Sequence, residues 1–357
     1  MNKKQKVIKR TGIIFLCILL VVFIAATALF GNEIRSLISL KKLDDHGMFQ
    51  MTYYGDYGFD DFLKVGAESD ADIEAFVTRS LLKGIPINLG VTGDGCTAFV
   101  TRNENGEILY GRNFDFTYAP SLQLYTNPPN NYASVSTVNL SFAGYSADYL
   151  PSGLNLDSFL TLAAPFLPFD GVNEKGVAIA LLAVPEADIQ KDENKITLNT
   201  TTAIRLVLDK AATADEAVDL LKQYNIYFSG GIDCHYLIAD ASGRSVLVEY
   251  YDGNLQTVET DTDYQIASNF IAYNGVNIGE GFNEFERYGR VKAAINENFG
   301  MLSERQAISL LADVGVMDGD TDKLQWSVIY NLTSGDGKIF AHRNTDNVIP
   351  FHINMEK

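Results

Sequence analysis

The chain has 357 residues, 46% of them hydrophobic and 20% charged, and 28 basic against 45 acidic side chains set a formal net charge of −17. That length suffices for one large domain or two ordinary ones, and 11% aromatic residues exclude a disordered chain. The acidity argues against a nucleic-acid backbone as partner, and three cysteines build neither a disulfide scaffold nor a four-cysteine zinc site.

The charge is uneven. Lys3, Lys4, Lys6, Lys9 and Arg10 stand in the first 30 residues without an acid, so the acidity belongs to the rest of the chain. An uncharged stretch, TGIIFLCILLVVFIAATALF, follows over 11–30 and includes Cys17. As a helix it reaches about 30 Å, the thickness of a bilayer core. It predicts a single transmembrane signal-anchor at the cell membrane, with 1–10 cytoplasmic and everything after it outside. A signal peptide cleaved near Ala26-Thr27-Ala28, leaving a secreted protein, is the alternative.

Residues 31–95 form a leading segment. Ser69-Asp70-Ala71-Asp72 has the form of a capping box, and Ile73, Phe76, Val77, Leu81 and Leu82 follow at helical spacing. Gly84 and Pro86 are its stop signals. From Gly95 the pattern changes to strands. Apolar runs at 97–101 and 108–113 flank Asn105-Gly106, a hairpin signal. Strands are predicted over 134–142 and 176–184, with a short helix at 156–164 stopped by Pro165. Two helices are predicted over 201–211 and 214–224, the second capped by Thr213. Strands at 235–239, 245–250, 256–260 and 265–268 precede helices at 284–298 and 303–313. Strands at 325–332 and 338–342 close the chain. No internal repeat, G-x-G-x-x-G or P-loop occurs, and the order of elements indicates an α+β fold.

Cys96 follows the turn Gly93-Asp94-Gly95 and opens the first strand of the 96–357 region. A small buried hydrophobe and a disulfide with Cys234 are its structural readings. Arg112 and Asp115 lie in Gly111-Arg112-Asn113-Phe114-Asp115, which the hairpin folds back towards Cys96. A guanidinium there favours a thiolate, and a carboxylate orients an amine; a structural ion pair is the alternative.

Cys-Thr at the head of a strand followed by Gly-Arg-Asn-x-Asp resembles the choloylglycine hydrolase family of N-terminal-nucleophile amidases. That family includes bile salt hydrolases, penicillin V acylases and acid-ceramidase-like amidases. The string Asp170-Gly171-Val172-Asn173-Glu174-Lys175-Gly176 is similar to the family's turn before a core strand. His235-Tyr236, Ala239-Asp240 and Gly243-Arg244-Ser245 resemble its central hairpin. Ser268-Asn269 occupies the place of its oxyanion asparagine, and Glu286-Arg287-Tyr288 that of its second arginine.

The resemblance implies a four-layer αββα sandwich and autoprocessing before Cys96, which exposes an α-amine able to serve as base to its own thiol. It assigns Cys96 as nucleophile, Asp115 to position the amine, Arg112 and Arg287 to hold charge, and Asn269 to the oxyanion. The reaction would be hydrolysis of a linear, non-peptide C–N amide, such as a bile acid conjugate, penicillin V or an N-acyl lipid. It needs no cofactor and no metal. Acyl transfer, or a non-catalytic binding protein with a Cys96–Cys234 disulfide, are the alternatives. One departure stands out: Ala183 falls where the family often carries asparagine or tyrosine. The 95 residues ahead of Cys96 resemble the acid-ceramidase-like branch, whose leading segment stays on as a separate subunit. His235, His342 and His352 lack metal-ligand spacing, and Trp326 and the tyrosines suit core and pocket walls better than base stacking.

Overall fold

The computed structural model describes residues 13–17, 30–87, 95–155, 157–279 and 283–355. Among these residues no helix is long and apolar enough to cross a membrane. The transmembrane helix expected over 11–30 is therefore not supported: only 13–17 and 30 of it are described, and the remainder, with the basic segment 1–10, lies outside the described residues. The helical residues 30–39 are instead folded onto the domain. Ser36 and Leu37 are buried, and the Ser36 hydroxyl accepts the N–H of Tyr54 at 2.9 Å.

Two large sheets make the centre. The first orders its strands β1 (Lys41–Lys42), β2 (Met48–Tyr53), β5 (Ser121–Thr126), β6 (Ser134–Asn139), β7 (Pro168–Asn173), β8 (Ala178–Ala183), β9 (Cys234–Ala239), β10 (Ser245–Tyr251) and β11 (Asn254–Val258). The second orders β12 (Gln265–Ser268), β3 (Cys96–Arg102), β4 (Ile108–Asp115), β13 (Leu324–Asn331), β14 (Asp336–Ala341) and β15 (Ile349–His352). Within the two sheets all pairs are antiparallel except β2 with β5.

Alternation along β3 explains the layering. Cys96, Ala98 and Val100 enter the core between the sheets, whereas Phe99 enters a second core with Val291, Ile295, Leu310 and Leu311. That second core is supplied by helices α5 (Glu284–Glu297) and α6 (Glu304–Val314). Helices α3 (Thr200–Lys210) and α4 (Ala214–Leu221) cover the other sheet, α3 lying on β7 and β8. The expected αββα sandwich is thus the observed one.

The leading segment is built into this framework. Its strand β2 is internal to the first sheet, pairing Met48 with Ser121 through Tyr53 with Thr126. Helix α1 (Phe59–Val65) and helix α2 (Asp70–Ser80) add Phe59, Phe62 and Phe76, whose rings cluster with Phe166 at centroid distances of 5.1–5.9 Å. The predicted capping box at Ser69 differs in detail. The Ser69 hydroxyl donates to the Asp72 carboxylate at 2.9 Å and caps no backbone N–H.

Candidate active site

The hairpin at Asn105-Gly106 sets the site's register. Asn103 Oδ1 accepts the N–H groups of Asn105 and Glu107, and Gly106 takes a φ of +79° that suits glycine. Cys96 then pairs with Phe114 and Ala98 with Arg112, so thiol and guanidinium share the face between the sheets. Arg112 Nη2 lies 3.7 Å from Cys96 Sγ and donates to the Leu181 carbonyl at 3.2 Å.

From the helical side comes Arg287, on the first turns of α5. Its Nη1 donates to the Cys96 carbonyl at 2.6 Å and to Thr97 Oγ1, and its Nη2 donates to Asn269 Oδ1 at 2.7 Å. Asn269, the residue after β12, also accepts the Cys96 N–H on Oδ1 at 2.6 Å. Two donors on one atom fix the amide's orientation, and Nδ2 donates to the Ala183 carbonyl at 2.9 Å. Asp115 Oδ1 accepts the Val316 N–H at 2.8 Å, and Oδ2 sits 4.0 Å from Arg287 Nη1. The four residues singled out in the sequence beside Cys96 therefore meet around it.

Burial dominates the electrostatics. Cys96 is 1% exposed, and its thiol pKa is raised by desolvation against the opposing pull of Arg112 and Arg287. Burial likewise pushes the Asp115 carboxyl up to about 6, despite Arg287 and the Val316 N–H. The thiol of the uncut chain is consequently no thiolate near neutral pH, and a base must activate it.

Several residues of the site escaped sequence reasoning. Asp170 Oδ2 stands 3.4 Å from Arg112 Nη1 and accepts Trp326 Nε1–H at 3.0 Å, while Oδ1 accepts the Tyr330 hydroxyl at 2.6 Å. An acid between Phe169 and Val172 in β7 was the available signal, hidden because it opened a motif quoted for its turn. Gly95 is a second case. A Cβ there would lie 2.9 Å from Val316 Cγ2 and 3.4 Å from Arg287 Nη2, so any larger residue before Cys96 would crowd the Val316 methyl. The departure at Ala183 is met by backbone: its carbonyl holds Asn269, and its N–H works against burial to pull the Cys96 thiol pKa down.

The disulfide alternative fails, because Cys96 and Cys234 are both free thiols. The histidines lie elsewhere: His235 against Glu249 at 3.0 Å, His352 against Asp336 at 2.9 Å, and His342 edge-on to His46. No group of three metal-ligating side chains occurs among the described residues.

Residues 96–286 match the family described as linear amide C-N hydrolases, choloylglycine hydrolase family. The chain belongs to this family. It is 34% identical over 111 residues to a penicillin V acylase of Pectobacterium atrosepticum, and 29% identical over 166 residues to a bile salt hydrolase/transferase of Clostridium perfringens. The aligned stretches cover 28% and 43% of this chain, and span only 29% and 47% of those relatives' lengths. In three dimensions the chain is similar to a mutant conjugated bile acid hydrolase from Clostridium perfringens, with a TM-score of 0.53 at 19% identity over 73% of this chain and 93% of the other. A penicillin V acylase from Agrobacterium tumefaciens follows at 0.51 and 20% identity, over 72% and 86%. At such identities these likenesses establish the family's α+β fold.

Proposed function

We propose that this protein hydrolyses a linear, non-peptide C–N amide through Cys96, made N-terminal by cleavage of the Gly95–Cys96 bond. The observation that carries this reading is the convergence on one residue. The N–H of Cys96 is held by Asn269 at 2.6 Å, its carbonyl by Arg287 at 2.6 Å, and its thiol lies 3.7 Å from Arg112.

The scissile peptide is itself oriented, since the Gly95 carbonyl accepts the Asp115 N–H at 2.9 Å. Attack by Sγ on that carbonyl carbon would move the leader's acyl group from nitrogen to sulfur. Water then releases the leader as a carboxylate and leaves a free α-amine on Cys96. An α-amine has an ordinary pKa of about 8, within reach of a general base at neutral pH. Asn269 Oδ1 already accepts from this nitrogen, and Asp115 Oδ2, buried without a hydrogen-bond partner, is suited to accept from its protonated form. Sγ would next attack the substrate carbonyl, the amine would depart with a proton, and water would free the thioester. Asn269 Nδ2 and the Ala183 N–H are the donors for the tetrahedral oxyanion; one such donor typically contributes about 3 kcal/mol. The severed leader would stay in place, because β2 pairs inside the first sheet and Phe59, Phe62 and Phe76 are buried with Phe166.

The substrate is an N-acyl amide: a bile acid conjugate or penicillin V, the classes for which its relatives are named, or an N-acyl lipid. The test incubates the chain and Cys96→Ser with a panel of these amides while mass spectrometry follows the Gly95–Cys96 bond. Amine release from one class, with a cut chain and an inert variant, is expected. Full activity with the bond intact would refute the N-terminal nucleophile, and no turnover of any amide would refute the activity.

A further inference from the structure

Val316 touches the Cys96 site twice. Its N–H donates to Asp115 Oδ1 at 2.8 Å, and its Cγ2 methyl closes on Gly95, where a Cβ would meet it at 2.9 Å. One residue thus borders both the acid that faces the Cys96 amine and the peptide bond that precedes Cys96. Whatever fixes Val316 bears on both.

Val316 is the second residue past the end of α6 (Glu304–Val314). The last carbonyls of a helix have no partner inside it and need donors from elsewhere. Here Arg343 supplies them. Its Nη1 donates to the Ala312 carbonyl and its Nη2 to the Gly315 carbonyl at 2.7 Å. A guanidinium carries its donors in a rigid plane, so bridging these two carbonyls sets the direction in which the chain leaves the helix. A lysine ammonium offers a single point of charge and cannot reproduce the fork.

Arg343 is itself held in place. It stands two residues past β14, after His342, whose φ of +52° turns the chain sharply. Its Nε lies 3.4 Å from Asp322 Oδ1 on the side away from the helix. Beyond the turn, the Val316 carbonyl accepts the Lys323 N–H at 3.0 Å, which pins the far end of the same segment. Three cations act on Asp115 against its burial: Arg287, Arg112 and Arg343.

We propose that Arg343 is a positioning residue of the Cys96 site: by bridging the Ala312 and Gly315 carbonyls it aims the Val316 N–H at Asp115 and the Val316 methyl at Gly95. Its effect on leader cleavage rests on the amidase reading, whereas its effect on the Asp115 carboxyl does not.

The test compares Arg343→Ala and Arg343→Lys with the unaltered side chain, in two settings. In the first, every chain also carries Cys96→Ala, which keeps the leader attached. Carbon NMR then follows the Asp115 carboxyl, assigned from the signal missing in Asp115→Asn. With Arg343 in place its midpoint is expected at about 6. Both variants should raise it by about one unit, through loss of the aimed N–H. In the second setting Cys96 is intact and mass spectrometry times leader cleavage, which should slow about tenfold in both variants. Millimolar guanidinium, able to enter where a side chain is 30% exposed, should restore Arg343→Ala, and methylammonium should not.

An unmoved Asp115 midpoint in Arg343→Ala would overturn the proposal. So would Arg343→Lys behaving as the unaltered chain, since charge alone would then suffice. Slowed cleavage that guanidinium leaves unchanged would assign Arg343 a merely structural part and overturn it as well. Absence of cleavage in the unaltered chain would refute the amidase reading instead, and the carboxyl midpoints would still decide the role of Arg343. If Arg343→Ala does not fold, Arg343→Lys carries the same comparison.

Discussion

Two buried arginine–aspartate clusters, one on each side of the first sheet, invite comparison. Beneath helix α3, Arg205 donates Nε–H to the Pro165 carbonyl, Nη1–H to Ser134 and Nη2–H to Ser136, and lies 3.4 Å from Asp209. Both oxygens of Asp209 accept from the Tyr57 hydroxyl, at 2.6 and 2.8 Å. Between the sheets, Arg112 has Nε and Nη1 without a hydrogen bond, and Asp115 has Oδ2 in the same condition. Burial pushes both aspartates up to about 6. Equal burial thus coexists with unequal satisfaction. The first cluster is saturated and ties the leading segment, through Tyr57, to the domain. The second keeps unspent hydrogen-bonding capacity, the condition of a site awaiting a reacting group.

The sharpest way to break this contrast is to truncate one acid from each cluster. Asp209→Ala strips Arg205 of its counter-charge and Tyr57 of its acceptor, and should cost about 3–5 kcal/mol, read as a fall in Cm on urea unfolding. Asp115→Asn retains the acceptor for the Val316 N–H and should change stability by about 1 kcal/mol or less, yet abolish processing and amide turnover. Equal stability losses in both variants would erase the distinction.

Next in size is the pH response. A carboxyl whose folded pKa is raised binds its proton more tightly folded than unfolded. Its favourable contribution is therefore complete below about pH 4 and lost as pH rises through 6. The two aspartates should make the fold more stable on acidification from pH 7 to 5, by about 1 kcal/mol each over that interval and about 3 kcal/mol each once the pH has fallen below the unfolded pKa. Denaturation midpoints across that interval check it, and Asp115→Asn should remove about half of the rise. A smaller effect attaches to Gly95. Gly95→Ala forces the Val316 methyl to shift, and should slow leader cleavage with an overpacking cost of about 1–3 kcal/mol, timed by mass spectrometry. Smallest is Thr213→Ala, which removes the hydroxyl accepting the Glu216 N–H at 3.1 Å and should lower stability by about 1 kcal/mol with activity intact.

Much of the catalytic half was legible in the chain. The Asn105-Gly106 turn, the helices near 200 and 284, and β12 at Gln265–Ser268 appear where hydrophobic period and turn chemistry put them. Strands β2, β5 and β7 went unread. Gln123 and Gln50 interrupt the apolar pattern, and β7 carries Pro168, Asp170 and Gly171; these strands exist because neighbours pair with them on both sides. The hydrophobic stretch over 11–30 was the most conspicuous local feature, and no described helix answers to a membrane span.

The sequence by itself determined the family, the hairpin that carries Cys96, Arg112 and Asp115, and the identity of Asn269 and Arg287, because these depend on residue types at short or ordered spacing. Only the tertiary structure decided that the leading segment is a strand of the first sheet, that Asp170 stands behind Arg112, and that Gly95 is hemmed in by Val316 and Arg287. Those facts are contacts between residues 58 to 221 positions apart, and their free energy comes from burial and hydrogen-bond satisfaction, which no local pattern encodes.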